Sequence, residues 1–166
     1  MTSKKKTMIT LNDLIINPQN INIKNLLEDW KWILKELSKV VLITAMGDLF
    51  IQGESGKVYF LDVCAGQLSK ISENGQEFES FLSDVEFVTD YFYPKQIVQY
   101  RKDGLNLQEE HCYSHTIPLV LGGKDEIDNI EITDVQVYLN IMGQVHMQIK
   151  NLPLGTKIDS VVIKKK

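Results

Sequence analysis

The chain has 166 residues, of which 43% are hydrophobic and 24% charged. That is enough for one core of ordinary size, and it excludes a disordered or collagen-like chain. The net charge is −4, but six of the 18 basic residues are lysines at the two ends, Lys4 to Lys6 and Lys164 to Lys166, so the body carries 22 acidic residues against 12 basic ones. Such a body repels nucleic acid and suits basic partners.

No apolar run approaches the roughly 20 residues that span a bilayer. The N-terminus, MTSKKKTMITLNDL, has lysines but no apolar core or small-residue cleavage site, so no signal peptide and no membrane partner are read. Two cysteines, Cys64 and Cys112, are too few for a disulfide framework and fit a reduced, cytoplasmic protein.

Residues 1–20 read as a lead-in, stopped by Asn17-Pro18. A helix is expected next, capped by Asn22, because Ile23, Leu26, Leu27, Trp30, Ile33, Leu34 and Leu37 share one helical face. Trp32 lies on the opposite face, either covering another element or exposed as an anchor. Val40–Ile43 and Leu49–Ile51 read as strand, interrupted by a bulge or tight bend at Gly47-Asp48. Gly53 to Gly56 is a hairpin turn, Val58–Leu61 the returning strand and Gln67–Ile71 a third.

From Ser72 the pattern becomes helical. Glu77, Phe78, Phe81, Leu82 and Val85 suit a short helix, and Pro94 opens another that Gly104 stops. Residues 135–149 fit two templates. Apolar residues or glycine at every odd position argue for two strands broken at Gly143. Val135, Leu139, Met142, Val145 and Ile149, with Asp134 as cap, argue for a helix, which is the preferred reading. A last strand is expected over Ile158–Ile163. The fold expected is therefore α+β, a single domain over residues 21–163 with an antiparallel meander, helices packed on it, and a lysine tail at 164–166.

Chemistry is sparse. His111, Cys112 and His115 offer three metal donors within five residues, without the second ligand pair that makes zinc spacing persuasive. Cys112 with His146 is a conceivable nucleophile and base, but no nucleophile motif surrounds it. Asp48 and Asp62 flank the meander's first hairpin and read as a carboxylate pair for acid/base work or as caps of turn backbone. Gly122-Gly123 lacks the spacing of a phosphate loop, and His146 reads as a structural hydrogen-bonder. No catalytic residue, cofactor or metal is assigned.

Several strings occur in order: Trp30 with Trp32, Thr44-Ala45-Met46-Gly47-Asp48-Leu49-Phe50, Gly56-Lys57-Val58-Tyr59-Phe60-Leu61-Asp62, Glu77-Phe78 and Cys112-Tyr113. Pro118-Leu119-Val120-Leu121-Gly122-Gly123, Asn129, Gly143-Gln144-Val145-His146-Met147-Gln148-Ile149-Lys150 and Leu152-Pro153-Leu154-Gly155-Thr156 follow. Over roughly Leu26 to Ile158 the series resembles the C-terminal domain family of type VI secretion DNase-immunity proteins. The resemblance implies a bacterial cytoplasmic protein that binds and neutralises a cognate toxin and is not an enzyme. The strings themselves are turn glycines and apolar strand residues, so they read as determinants of fold.

A toxin that cuts nucleic acid presents a basic surface, which an acidic partner suits. The exposed acids Glu54, Glu73, Glu109, Glu110, Asp125, Glu126 and Asp128 are the candidate contacts, with the hairpin tip Gly53–Gly56 beside them. Two rivals stand: a general intracellular interaction module of the same fold, and a hydrolase or metal enzyme using His111, Cys112, His115 or His146.

Overall fold

The structure is a computed structural model that describes residues 9–165; Lys4 to Lys6 and Lys166 lie outside the described residues. Four strands, β1 (Ser38–Ile43), β2 (Leu49–Gly53), β3 (Val58–Asp62) and β4 (Gln67–Ser72), pair in sequence order as an antiparallel meander. Strand alternation sends Leu49, Ile51, Tyr59 and Leu61 to one face and Phe50, Val58 and Phe60 to the other, and both faces are covered. That is why β2 and β3 read as unbroken apolar runs rather than alternating ones.

One face receives α1 (Ile23–Leu26), a 3-10 turn at Glu28–Trp30 and the long helix α5 (Val135–Ile149). The Trp30 indole N–H donates to the Leu139 carbonyl at 3.0 Å, fixing that turn on α5. Gly143 permits the close approach: a Cβ there would stand 2.7 Å from Asp29 Cβ and 2.8 Å from the Asp29 carbonyl oxygen. The other face receives α2 (Gly75–Phe81), α3 (Val85–Phe92) and α4 (Pro94–Lys102). Phe50 is the hub of this side, with Phe78, Phe60 and Phe92 at ring-centroid distances of 4.8, 4.9 and 5.5 Å.

A second, two-stranded sheet pairs β5 (His111–His115) with β6 (Ile130–Asp134). The Tyr113 N–H donates to the Ala45 carbonyl at 2.9 Å, so this hairpin is tied to the β1–β2 turn. The α+β class and the antiparallel meander are as expected, with one more strand in the meander.

Three expectations change and one is sharpened. The helix over Ile23–Leu37 does not form: after Leu26 the chain tightens to the 3-10 turn and then runs out towards β1. The cause is tertiary. Glu36 accepts from the Ser55 N–H, the Ser55 hydroxyl and the Tyr59 hydroxyl at 2.7, 2.6 and 3.0 Å, and the Leu37 carbonyl accepts from the Glu54 N–H. These bonds draw residues 36–37 to the β2–β3 hairpin and leave Leu37 73% exposed.

Of the bulge or tight bend expected at Gly47-Asp48 the tight bend forms, and it is a full hairpin turn that separates β1 from β2, closed by Gly47 N–H to Thr44 O at 2.9 Å; the register shift lies at Val40/Leu42. Gly47 has φ +82, and a Cβ there would meet the Tyr138 ring at 2.7 Å. The helical stretch after Ser72 is two helices, because Asp84 caps a new one by accepting from the Phe87 N–H. Ile158–Ile163 forms no strand. Its backbone is instead met by side chains of α5: Gln148 exchanges bonds of 2.9 and 3.0 Å with Val162, and Gln144 bonds of 3.2 and 2.7 Å with Lys164. Residues 135–149 are a helix, as preferred, with Asp134 accepting from the Val137 N–H at 2.9 Å.

Candidate partner-binding cleft

A cleft of about 440 Å³ opens at the end of the meander where the β1–β2 turn and the exit from β3 lie side by side. Asp48 comes from the first of these, and Asp62, Cys64 and Ala65 from the second. Tyr93 and Gln96 enter from the start of α4, and Tyr113 and His115 from β5. Asp125 overhangs from the β5–β6 loop, and Tyr138 rises from α5. The lining holds three aspartates and no lysine or arginine.

The local structure behind each carboxylate is legible. Asp62 accepts from the Ala65 N–H at 2.7 Å, which closes the turn after β3. Asp48 accepts from the Val63 N–H at 2.9 Å, joining the two turns. Asp48 is only 6% exposed. Burial first, and then the nearby Asp62 charge, push its pKa well above the usual carboxylate range. The two aspartates do share one site, and each also caps turn backbone.

Tyr93 sits at φ +51, the left-handed region, between α3 and α4. Such a conformation at a non-glycine residue costs about 1–3 kcal/mol, and strain of this kind gathers at functional sites. Pro94 after it fixes the start of α4. Burial, then the charges of Asp48 and Asp62, raise the pKa of Tyr93; burial and Asp48 do the same at Tyr138.

A cysteine, a histidine and an aspartate line up in the cleft. The Cys64 sulfur lies 3.9 Å from His115 Nδ1, and His115 Nε2 lies 3.1 Å from an Asp125 carboxylate oxygen. The order is that of a nucleophile, base and orienting acid. The electrostatics oppose that use. Burial, followed by Asp62, Asp48 and Asp125, pushes the Cys64 thiol up to about 12. Reactive cysteines need an electropositive setting that stabilises the thiolate. The trio therefore reads as a hydrogen-bonded wall of an acidic cleft.

The pair Cys112 and His146 does not form. Cys112 is buried beside Gly47, and His146 Nε2 instead meets the carbonyls of Val63 and Cys64 at 3.1 and 3.2 Å. His146 is thus the structural hydrogen-bonder expected, holding the loop that carries Cys64. Among the described residues, no three His, Cys, Asp or Glu side chains are arranged to hold a metal. His111 turns to the Glu109 carbonyl at 2.7 Å, at the other end of β5 from His115.

The seven acids fall into three places. Asp125 lines the cleft, with Glu126 and Asp128 following on the same loop. Glu109 and Glu110 precede β5 at the opposite end of its hairpin, and Glu110 is half-buried with φ +64. Glu54 and Glu73 lie at the far end of the meander, Glu73 paired with Lys70. The hairpin tip there is pinned by Glu36. Asp48, Asp62 and the tyrosines are the cleft residues that composition did not single out as contacts. Asp48 and Asp62 were legible as a possible carboxylate pair, while nothing local in the sequence pointed to the tyrosines.

Trp32 is half-buried, stacked on Trp30 at 6.1 Å with the Lys150 ammonium 5.2 Å above its ring, so its role is to cover the core's edge. Among the described residues no helix is long and apolar enough to cross a membrane.

The crystal structure of Atu4351 from Agrobacterium tumefaciens is similar in fold, with a TM-score of 0.57 at 14% identity over 78% of this chain. This chain spans 65% of that protein's length. No curated protein matches the chain. Residues 72–146, which include the cleft's Tyr93, His115, Asp125 and Tyr138, match the model of the family described as T6SS immunity protein Tdi1, C-terminal, the family that the sequence strings resemble.

Proposed function

We propose that this chain is an immunity protein that binds and neutralises a cognate toxin of type VI secretion in the bacterial cytoplasm. The family match over residues 72–146 is the observation that carries this reading. The acidic body supports it physically, because a nuclease toxin exposes basic groups for phosphate and an acidic partner occupies them. The function is binding rather than turnover: the one cysteine–histidine–aspartate line holds its thiol protonated at neutral pH.

The test is co-expression with the product of the gene adjacent to its own. Rescue of growth together with co-purification of the two proteins is the expected result. A toxic neighbour that this chain neither rescues nor retains would overturn the reading.

A further inference from the structure

We propose that the cleft between the β1–β2 turn and α4 is a receptor for one arginine side chain presented by the protein partner. That the partner is a toxin rests on the proposed function; the preference for a guanidinium rests on the cleft alone.

The first observation is charge. Asp48, Asp62 and Asp125 face one cavity of about 440 Å³ whose lining contains no lysine or arginine. Asp62 meets no cationic partner in the lining, Asp125 is faced there by His115 alone, and the buried Asp48 adds an acceptor more than a charge. The second is unused hydrogen-bonding capacity. Tyr138 is 7% exposed and Tyr100 is 8% exposed, both line the cavity, and neither hydroxyl has a hydrogen-bond partner among the described residues. Asp48 spends one carboxylate oxygen on the Val63 N–H, and its other oxygen has no such partner among them either. These polar atoms open onto the cavity rather than being sealed in the core, so they are free to bond an entering donor. The third is shape and chemistry. A guanidinium carries five N–H donors in a plane and stacks on aromatic rings, which four tyrosines supply here. An ammonium has fewer donors and no plane to stack.

The size fits a side chain with its backbone rather than a bare ion. A second hollow, lined by Leu152, Leu154, Ile149 and Trp32, adjoins the cleft across Ala65 and Val120. Leu154 is fully exposed there. A partner loop with an arginine next to an apolar residue would fill both.

The probe is Nα-acetyl-arginine amide, titrated into the full chain while backbone amide resonances are followed by NMR. Nα-acetyl-citrulline amide, its uncharged isostere, is the comparison. We expect saturable displacement at Cys64, Ala65, Gln96 and Asp125 with the arginine probe and none with citrulline. Asp62→Asn with Asp125→Asn should weaken binding about tenfold or more, equivalent to about 1.4 kcal/mol. Both asparagines keep an acceptor for the Ala65 N–H and for His115, so the turns are retained. Tyr138→Phe, which keeps the ring and removes only the hydroxyl, should weaken it severalfold and serves if the double variant does not fold. An absent response up to the solubility of the probe, or an equal one to citrulline, overturns the inference. Probe binding without toxin neutralisation would remove the immunity reading and leave the arginine site. Neutralisation without probe binding would do the reverse.

Discussion

Asp48 is the residue in which fold and site meet. Its carboxyl bonds the turn after β3, and it is faced by Asp62 and Cys64 on that turn, Tyr93 ahead of α4, Cys112 on β5 and Tyr138 on α5. Its folded-state pKa lies above the unfolded value, so the folded chain holds the proton longer. Stability is therefore full below the ordinary aspartate range and falls as pH rises through the folded value, by up to about 1.4 kcal/mol per pH unit within that window. Asp48→Asn should stabilise the protein above this window and flatten the profile, read as urea midpoints across pH 4 to 9; a wild-type profile that the substitution leaves unchanged would contradict the argument. Cys64 gives a second prediction. With its thiol at about 12 against an ordinary 9.0, it should alkylate with iodoacetamide about a thousandfold more slowly than a free cysteine at neutral pH. Rapid labelling would reinstate the nucleophile reading. At this scale the sequence showed Asp48, Asp62 and His146 correctly as turn and loop anchors. It hid Cys64, His115 and Asp125 as neighbours, because 51 residues separate the first two and only the docking of β5 joins them.

Elements were legible where a local signal agreed with the global packing. Gly53 to Gly56, Pro94 and Asp134 each mark a boundary that formed. The apolar face of Ile23–Leu37 failed because Glu36 and Leu37 are held on the β2–β3 hairpin, a bond set no window of sequence contains. The alternation over 135–149 was misleading for a related reason. α5 is buried along one side by the sheet and by the Glu28–Trp30 turn, so its apolar positions are dense enough to imitate a strand pattern. Gly143 records that contact. Gly143→Ala should cost about 1–3 kcal/mol by pushing the turn off α5, measured as a shifted urea midpoint. The glutamine pairs give a separable test. Gln144→Ala with Gln148→Ala should speed amide exchange at Val162 and Lys164 by at least about tenfold, while global stability stays within about 0.5 kcal/mol because Gln148 is exposed and Gln144, half-buried, lies outside the apolar core. Loss of global stability would mean the terminal segment is part of the cooperative core.

The whole molecule carries its acid-lined cleft at one end of the meander. The acids of the cleft and of the β5–β6 loop share an edge, while Glu54 and Glu73 sit at the far end of the meander, so net acidity alone did not locate a surface. Net acidity suits a basic partner without placing it; in the arginine-receptor proposal the guanidinium enters at the cleft between the β1–β2 turn and α4. If charge steers the encounter, the association rate with the toxin should fall severalfold between low and physiological salt while the dissociation rate changes little. As proposed, the chain neutralises its toxin stoichiometrically, by binding it. The most direct measurement of this is a titration of purified toxin activity with the purified chain. Toxin activity should fall linearly and reach its end at one equivalent of the chain. Undiminished activity at a large excess, or complete loss at a small fraction of an equivalent, would contradict stoichiometric neutralisation.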